Sequence, residues 1–275
     1  MVGFLKMQGL GNDFAVFDGR DQAISMTPEL ARKLADRHFG IGCDTVVLLL
    51  PGGASADVYL RFFNADGGEI EACGNATRCV ARLLMDERGL ARVRLDSKGG
   101  LLLCSDAGKG LVCVDMGAPG LDWKEIPLSE HKDTTQFQFS LENRTITASA
   151  ASMGNPHCIL FVGDAAKAPV SHIGPLIENH PLFPNRVNVE FAQVLDKARI
   201  RMRVWERGVG ITLACGTGAA ATAVAAIRKG LTDRKVEVIL DGGSLFLEWR
   251  EEDGHVLMTG PGVTSFSGNV DLHRI

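Results

Sequence analysis

The chain has 275 residues, 45% of them hydrophobic and 23% charged, with a formal net charge of −4 at pH 7. That is long enough to bury one large core or two smaller ones, and too apolar for a disordered chain. Slight acidity without a basic stripe gives no general attraction to nucleic acid, so a small-molecule partner is expected. Met1-Val2-Gly3-Phe4-Leu5-Lys6 runs directly into a Gly-Leu-Gly-Asn turn and does not have the form of a targeting leader. Seven cysteines make no CxxC pair and no zinc-like Cys/His spacing, which points to a reducing cytosol rather than a disulfide framework.

In chain order, β-branched and aromatic runs bounded by Gly, Pro and Asp predict strands over 14–17, 45–50, 58–63 and 92–95. A helix is predicted over 76–88, with Cys79, Val80, Leu83 and Leu84 on one face and a stop at Gly89. Residues 118–131, rich in Gly and Pro at their start, read as a linker. Strands follow over 158–162, 187–194 and 199–204. A second helix over 219–229 is nearly all alanine and aliphatic, so it is expected to be buried all round and to stop at Gly230. Residues 209–227 are uncharged and match a membrane span in length, but their Ala, Gly and Thr content fits a buried turn and a small-residue helix better. Cys43, Cys79, Cys104, Cys113 and Cys158 lie among apolar neighbours and read as buried packing residues.

The other two cysteines differ. Glu71-Ala72-Cys73-Gly74-Asn75 and Leu213-Ala214-Cys215-Gly216-Thr217 each place Cys-Gly where a helix begins. Unpaired N–H groups and the helix dipole there favour a thiolate, so a lowered thiol pKa is expected at both. Aligning Cys73 with Cys215 sets an offset of 142, which also matches Arg61 to Arg203, Phe63 to Trp205 and Gly68 to Gly210. At an offset of 143, Gly11-Asn12-Asp13-Phe14 meets Gly154-Asn155-Pro156-His157, and Asp44-Thr45-Val46 meets Val187-Asn188-Val189. Three segments in one order imply two similar halves, and the period is far too long for a solenoid.

The expected fold is therefore α+β: two pseudo-symmetric lobes, each a mostly antiparallel sheet wrapped round a central helix. The lobes are drawn as 1–117 with 261–275, carrying Cys73, and 118–260, carrying Cys215, with an active site in the cleft between them. Two matched thiols facing one carbon from opposite sides could invert a stereocentre, one removing a proton and the other returning one. The N–H groups at Gly74-Asn75 and Gly216-Thr217 could bind the carboxylate of an amino-acid substrate. Such a pair should titrate as a coupled unit.

Gly9-Leu10-Gly11-Asn12-Asp13-Phe14, Phe63-Asn64-Ala65-Asp66-Gly67-Gly68 and Ala72-Cys73-Gly74-Asn75-Ala76-Thr77-Arg78 carry a more specific likeness. So do Gly154-Asn155-Pro156-His157, Asn185-Arg186-Val187-Asn188, Glu206-Arg207-Gly208 and Ala214-Cys215-Gly216-Thr217-Gly218. In this order, over most of the chain, they resemble the diaminopimelate epimerases. The resemblance implies a cytoplasmic, cofactor-independent enzyme of lysine and peptidoglycan-precursor synthesis that interconverts LL- and meso-diaminopimelate without pyridoxal phosphate or metal. It implies a homodimer, with neither membrane nor nucleic acid as partner.

By the same resemblance Cys73 and Cys215 are acid and base, exchanging roles with direction. Asn12, Asn64, Asn155 and Asn188 bind the substrate's polar ends, and Arg207 pairs with a carboxylate. The backbone at Gly74, Asn75, Gly216 and Thr217 holds the reacting carboxylate. His157 and Glu206 tune the thiols, and Glu206 also contacts substrate. Arg78 belongs to a helix face and need not touch substrate. The family usually has glutamine where this chain has Thr45, and the shorter hydroxyl reaches less far, although the repeat sets Thr45 opposite Asn188.

Three rival readings remain at this stage. A proline or hydroxyproline racemase of the same fold needs to recognise only one carboxylate and a ring. Gly216-Thr217-Gly218-Ala219-Ala220-Ala221 fits a GxGxxA dinucleotide fingerprint, with Asp233 and Glu237 as ribose-binding acids. A thiol redox or metal module would use the two cysteines without enzymatic turnover.

Overall fold

The computed structural model describes every residue except His273 and divides into two compact units. One is Met1–Val114 with Thr259–Ile275, and the other is Asp115–Met258. Elements of the first half are β1 (Val2–Gly9), β2 (Asn12–Asp18), α1 (Pro28–Ala35), β3 (Thr45–Pro51), β4 (Val58–Asn64) and β5 (Glu69–Ile70). They continue with α2 (Gly74–Arg88), β6 (Arg92–Asp96), β7 (Leu102–Gly108) and β8 (Leu111–Asp115). The second half holds β9 (Phe137–Leu141), β10 (Arg144–Ser152), β11 (Pro156–Phe161), α3 (Val170–Glu178), β12 (Asn188–Asp196) and β13 (Arg199–Glu206). After these come β14 (Gly210–Ile211), α4 (Gly216–Arg228), β15 (Lys235–Leu240), β16 (Gly243–Trp249) and β17 (Val256–Pro261). The chain then returns to the first unit as β18 (Val263–Val270).

Both units follow one plan. In the first, β18, β1 and β2 are antiparallel, β2 runs parallel to β3, β3 is antiparallel to β4, β4 is parallel to β6, and β6 is antiparallel to β7. Parallel neighbours need a crossover, and α1 and α2 supply the two. In the second, β9, β10 and β11 are antiparallel, β11 is parallel to β12, β12 antiparallel to β13, β13 parallel to β15, and β15 antiparallel to β16. Here α3 and α4 are the crossovers.

Registers coincide as well. Phe14 faces Thr45 as His157 faces Asn188, and Val46 faces Phe63 as Val189 faces Trp205. Val58 faces Leu95 as Ile200 faces Val238, and Arg92 faces Ser105 as Lys235 faces Glu248. The duplication read from two cysteine segments thus runs through the sheets residue by residue.

Each sheet curls round its second helix. α2 packs on β1, β2 and β18 at one end and on β6 and β7 at the other, while α4 packs on β10, β11, β12, β13, β15 and β16. Residues Asn75–Ala81 of α2 are all buried, and Gly218–Ala226 of α4 likewise, because small side chains let strands close on every side. The first helix of each unit covers the outer face instead. Thr27 caps α1 by accepting from the Leu30 N–H at 3.2 Å, and Ala31, Leu34 and Ala35 pack on Ala15, Phe17, Val46, Leu48 and Phe63. In α3, Val170, Ile173 and Ile177 pack with Cys158, Val189 and Phe191. With α1 packed on it, β3 is buried from Thr45 to Leu49 on both faces, which is why it reads as an unbroken apolar run.

Three expectations change. Residues 118–131 are not a free linker: Gly120 bridges to Ser152, and Ile126 and Leu128 enter the second unit's core. The unit boundary falls slightly earlier than drawn, since Met116 and Gly117 hydrogen-bond Val256 at 2.9 Å inside the second unit. Cys113 is only half-buried, because it alternates with the buried Val112 and Val114 along β8, whereas Cys43, Cys79, Cys104 and Cys158 are buried. Residues 209–227 form β14, a turn and most of α4, and among the described residues no helix is long and apolar enough to cross a membrane.

Glycines that shape the turns separate into two kinds. Gly89 ends α2 at φ 63° with nothing near its missing side chain, whereas Gly67, at φ +87°, holds the turn after Asn64 with a Cβ position 2.1 Å from the Pro28 carbonyl oxygen. Gly89→Ala is therefore expected to cost only the left-handed backbone penalty of about 1–2 kcal/mol. Gly67→Ala should cost clearly more, because α1 must also move. Urea unfolding of the two variants checks this, and equal midpoints would contradict it.

Candidate active site

In the first unit Cys73 is the extended N-cap of α2, at φ −146° and ψ 101°. Its carbonyl accepts the Thr77 N–H and hydroxyl, each at 2.9 Å, so the helix starts on it. Asn12, at the β1–β2 turn, links the surroundings: its Oδ1 lies 4.0 Å from Cys73 Sγ and accepts from Asn75 Nδ2 at 3.2 Å. Its Nδ2 donates to Asp44 at 2.8 Å. Asp44 is held by Arg37, which also grips Asp13, and Lys6 meets Asp13 at 2.6 Å. Burial alone would raise the Asp13 carboxyl, but bonds from Arg37 and Lys6 more than offset it and hold the group down to about 2.

Arg78 lies one turn further along α2 with no exposed surface. Its guanidinium donates to Asn75 Oδ1 at 2.7 Å and to the Pro261 carbonyl at 3.2 Å, and burial draws it down to about 10. Thus Arg78 orients Asn75, and Asn75 orients Asn12. Gly9 leaves room beside it, for a Cβ there would lie 3.3 Å from both Arg78 Nη2 and the Asn75 carbonyl oxygen. Thr45 is buried, paired in register with Phe14 on one side and Asn64 on the other. Asn64 ends β4 and is half-buried, its N–H and C=O taken by the Gly67-Gly68 turn.

The second unit repeats the layout with different chemistry. Cys215 caps α4 at φ −122° and ψ 110°, is only 6% exposed, and its Sγ accepts the Gly218 N–H at 3.4 Å. Thr217 Oγ1 lies 3.6 Å from that sulfur and accepts from Asn155 Nδ2 at 3.3 Å. His157 Nε2 sits 3.0 Å from Asn155 Oδ1, and His157 Nδ1 sits 2.7 Å from Glu190 Oε1. Glu206 Oε1 accepts the Thr212 hydroxyl. Asn188 spends both ends of its amide inside the protein, donating to Pro156 O at 3.0 Å and accepting the Arg207 N–H at 2.9 Å. Arg207 in turn donates to Asn185 O at 3.1 Å. Asn188 therefore fixes the Glu206-Arg207 turn.

The expected low thiol pKa does not hold at Cys215. Burial pushes this thiol well up, and the Glu206 and Glu190 carboxylates push further in the same direction. Bonds from Thr217 and Gly218 only partly counter them, so desolvation and two nearby anions outweigh the helix terminus. Burial also raises Glu206 and Glu190.

Sequence reading passed over Asp44, Glu190 and the holding role of Arg78. Glu190 had a visible signal, an acid inside the apolar run 187–194. The dinucleotide fingerprint dissolves here: Gly216 and Gly218 lie within α4, and Gly218 is glycine because a Cβ would sit 2.7 Å from Glu190 Oε1 and 3.2 Å from Cys215 Sγ. Among the described residues no three His, Cys, Asp or Glu side chains gather into a metal-holding cluster.

The two duplicated α+β units, each curled round a helix that begins on a cysteine, have a counterpart among solved structures. A solved hydroxyproline epimerase from Agrobacterium vitis, with trans-4-hydroxy-L-proline bound, superposes with a TM-score of 0.70 at 16% identity, covering 97% of this chain and 91% of its own. At that identity the likeness speaks for the fold alone. The sequence profile described as diaminopimelate epimerase matches residues 4–121 and 149–264. Diaminopimelate epimerase of Rhodospirillum centenum is 51% identical over 268 residues, 97% of this chain and 91% of the relative. That of Phenylobacterium zucineum is 51% identical over 270 residues, 97% of each. The chain belongs to the diaminopimelate epimerase family of isomerases.

Arg78 offers a check on the first half of the site. Arg78→Met keeps the bulk but leaves Asn75 Oδ1 without its guanidinium, and should destabilise the protein by about 2 kcal/mol or more. Asn75 and Asn12 should loosen with it, giving altered side-chain amide resonances in NMR spectra. Unchanged stability and unchanged resonances would refute this role.

Proposed function

We propose that the protein interconverts LL- and meso-diaminopimelate by two-base proton transfer at the α-carbon, with Cys73 and Cys215 as the reacting pair and without pyridoxal phosphate or metal. One thiolate takes the α-proton, so the C–H bond breaks, an S–H bond forms and the electron pair stays on the carbanion. The thiol on the opposite face then gives up its proton to that carbon, which ends inverted, and the two sulfurs have exchanged states. The N–H groups at Gly74-Asn75 and Gly216-Thr217 face the reacting carboxylate and spread the charge that develops.

The observation that carries this reading is the equivalence of the two cysteines. Each is the N-cap of its unit's buried helix, and each has a turn asparagine, Asn12 or Asn155, bonded to the side chain at the helix's second position. Membership of the epimerase family supplies the substrate. Asn64, Thr45, Asn188, Glu206 and Arg207 are proposed to line the distal end of the substrate, with Arg207 on its second carboxylate and Glu206 on an ammonium group. His157 and Glu206 adjust the thiols. In the cell the reaction serves lysine and peptidoglycan-precursor synthesis in the cytoplasm, and the working form is a homodimer.

Cys73→Ala and Cys215→Ala should each lower turnover of LL-diaminopimelate by at least the 10²–10⁴-fold typical of a lost general acid or base. Product formation is followed by chiral chromatography, with circular dichroism confirming the fold, and proline should not be turned over. Either variant working at the wild-type rate would sink the two-thiol mechanism.

A further inference from the structure

Glu190 and His157 are both completely buried, and Glu190 Oε2 has no hydrogen-bond partner among the described residues. An ionisable pair inside a protein costs several kcal/mol of desolvation per ion before any return from pairing. The fold does not require that cost. In the first unit the equivalent positions are Val47 and Phe14, equally buried and wholly apolar, in the same register of the same sheet. The acid–base pair is therefore a feature of the Cys215 side alone.

What it touches indicates its use. An unbroken line of contacts runs from Glu190 Oε1 to His157 Nδ1 at 2.7 Å and from His157 Nε2 to Asn155 Oδ1 at 3.0 Å. It continues from Asn155 Nδ2 to Thr217 Oγ1 at 3.3 Å and from Thr217 Oγ1 to Cys215 Sγ at 3.6 Å. We propose that Glu190 is a positioning residue of this half-site: through His157 and Asn155 it sets whether the Thr217 hydroxyl donates to the Cys215 sulfur or accepts from it. The proposal rests on Cys215 being one of the two reacting thiols.

The reasoning is donor-by-donor. With Asn155 Oδ1 toward His157, the ring must carry a proton on Nε2, and another is shared between Nδ1 and Glu190. Asn155 then donates to Thr217, whose own hydroxyl proton is left for the sulfur, an arrangement that suits a thiolate. When the pair holds one proton fewer, Nδ1–H faces the ionised Glu190 and Nε2 presents a lone pair. The Asn155 amide then turns over, its Oδ1 takes the Thr217 hydroxyl proton, and Thr217 can only accept from the sulfur. That arrangement holds Cys215 as the thiol. The first needs a protonated pair and the second an ionised Glu190, so the carboxylate chooses between them.

The titratable groups facing Cys215 are Glu206 from β13, which also shares a hydrogen bond with the thiol, and Glu190 from β12; those facing Glu190 are His157 and Cys158 from β11, Glu206 from β13 and Cys215 itself. Where the pair holds that single proton, Glu190 carries the negative charge. Glu190 then enforces the thiol orientation and also repels the thiolate, so both effects raise the pH at which Cys215 ionises. Glutamine at position 190 donates an N–H to Nδ1, leaves the proton on Nε2 and turns the line toward the thiolate.

The test is the rate of Cys215 alkylation by iodoacetamide against pH, read for each cysteine by mass spectrometry in the absence of substrate, so its outcome does not depend on the epimerase reading. The wild-type midpoint is expected above the ordinary thiol value of about 8.5. Glu190→Gln should lower it by about one unit or more, and in a Thr217→Val background that shift should shrink to less than half. If Glu190→Gln does not fold, His157→Phe with Glu190→Val copies the packing of the first unit and should lower the midpoint likewise. An unmoved midpoint in the folded variant overturns the proposal. So does a shift of undiminished size without the Thr217 hydroxyl, which would leave only direct charge repulsion.

Discussion

Burying α2 and α4 inside curled sheets creates an electrostatic obligation. The N–H groups of each first turn have no carbonyl ahead of them, and the helix dipole concentrates positive potential at that point. Something of negative or acceptor character must meet it. In both units that place is taken by a cysteine whose carbonyl opens the helix, and in the second the sulfur also accepts one of the orphan donors, the Gly218 N–H. The parallel crossovers, the tight β1–β2 and β10–β11 turns and the glycines beside the helices all serve to bring an asparagine to the same spot. The site follows from how each unit solves the problem of its buried helix end.

The same scaffold carries opposite charge in its two copies. Where the first unit has Arg78 in α2, the second has Ala220 in α4, and where the first has Val47 and Phe14, the second has Glu190 and His157. Asn64 at the end of β4 corresponds to Glu206 at the end of β13. A buried cation thus stands behind the Cys73 side, while two carboxylates stand around Cys215 and push its thiol upward. A reaction that begins with one thiolate and one thiol gains from such a difference, because identical surroundings would leave the shared proton without a preferred home.

Much of this was legible in the sequence. Sequence patterns located seven of the strands (β2, β3, β4, β6, β11, β12 and β13) and both buried helices to within two or three residues, Gly89 and Gly230 marking the helix ends, but missed the remaining strands and α1 and α3. The duplication was legible because Cys-Gly and Gly-Asn sit where the backbone leaves little choice. What escaped depends on three-dimensional environment. A lowered pKa for Cys215 followed from the helix end alone, but burial and carboxylates from β12 and β13 reverse it. Asn188 reads from sequence as a substrate ligand only, and nothing local shows that its amide also ties Pro156 to the Arg207 N–H. Arg78 reads from sequence only as part of a helix face, because nothing local reveals that β18 and the preceding turn close over it. Glu190 was in plain view within an apolar strand, but its partner His157 lies 33 residues away in the chain.

The central claim is that two different thiols act on one carbon, one removing and one returning the proton. Its most direct measurement is the position of deuterium during the first few per cent of conversion of LL-diaminopimelate in heavy water. Removal by one sulfur and return by the other places solvent deuterium in the epimerised product while recovered substrate stays unlabelled. Deuterium appearing equally early in recovered LL-diaminopimelate would mean that a single group both takes and returns the proton, and would contradict the account.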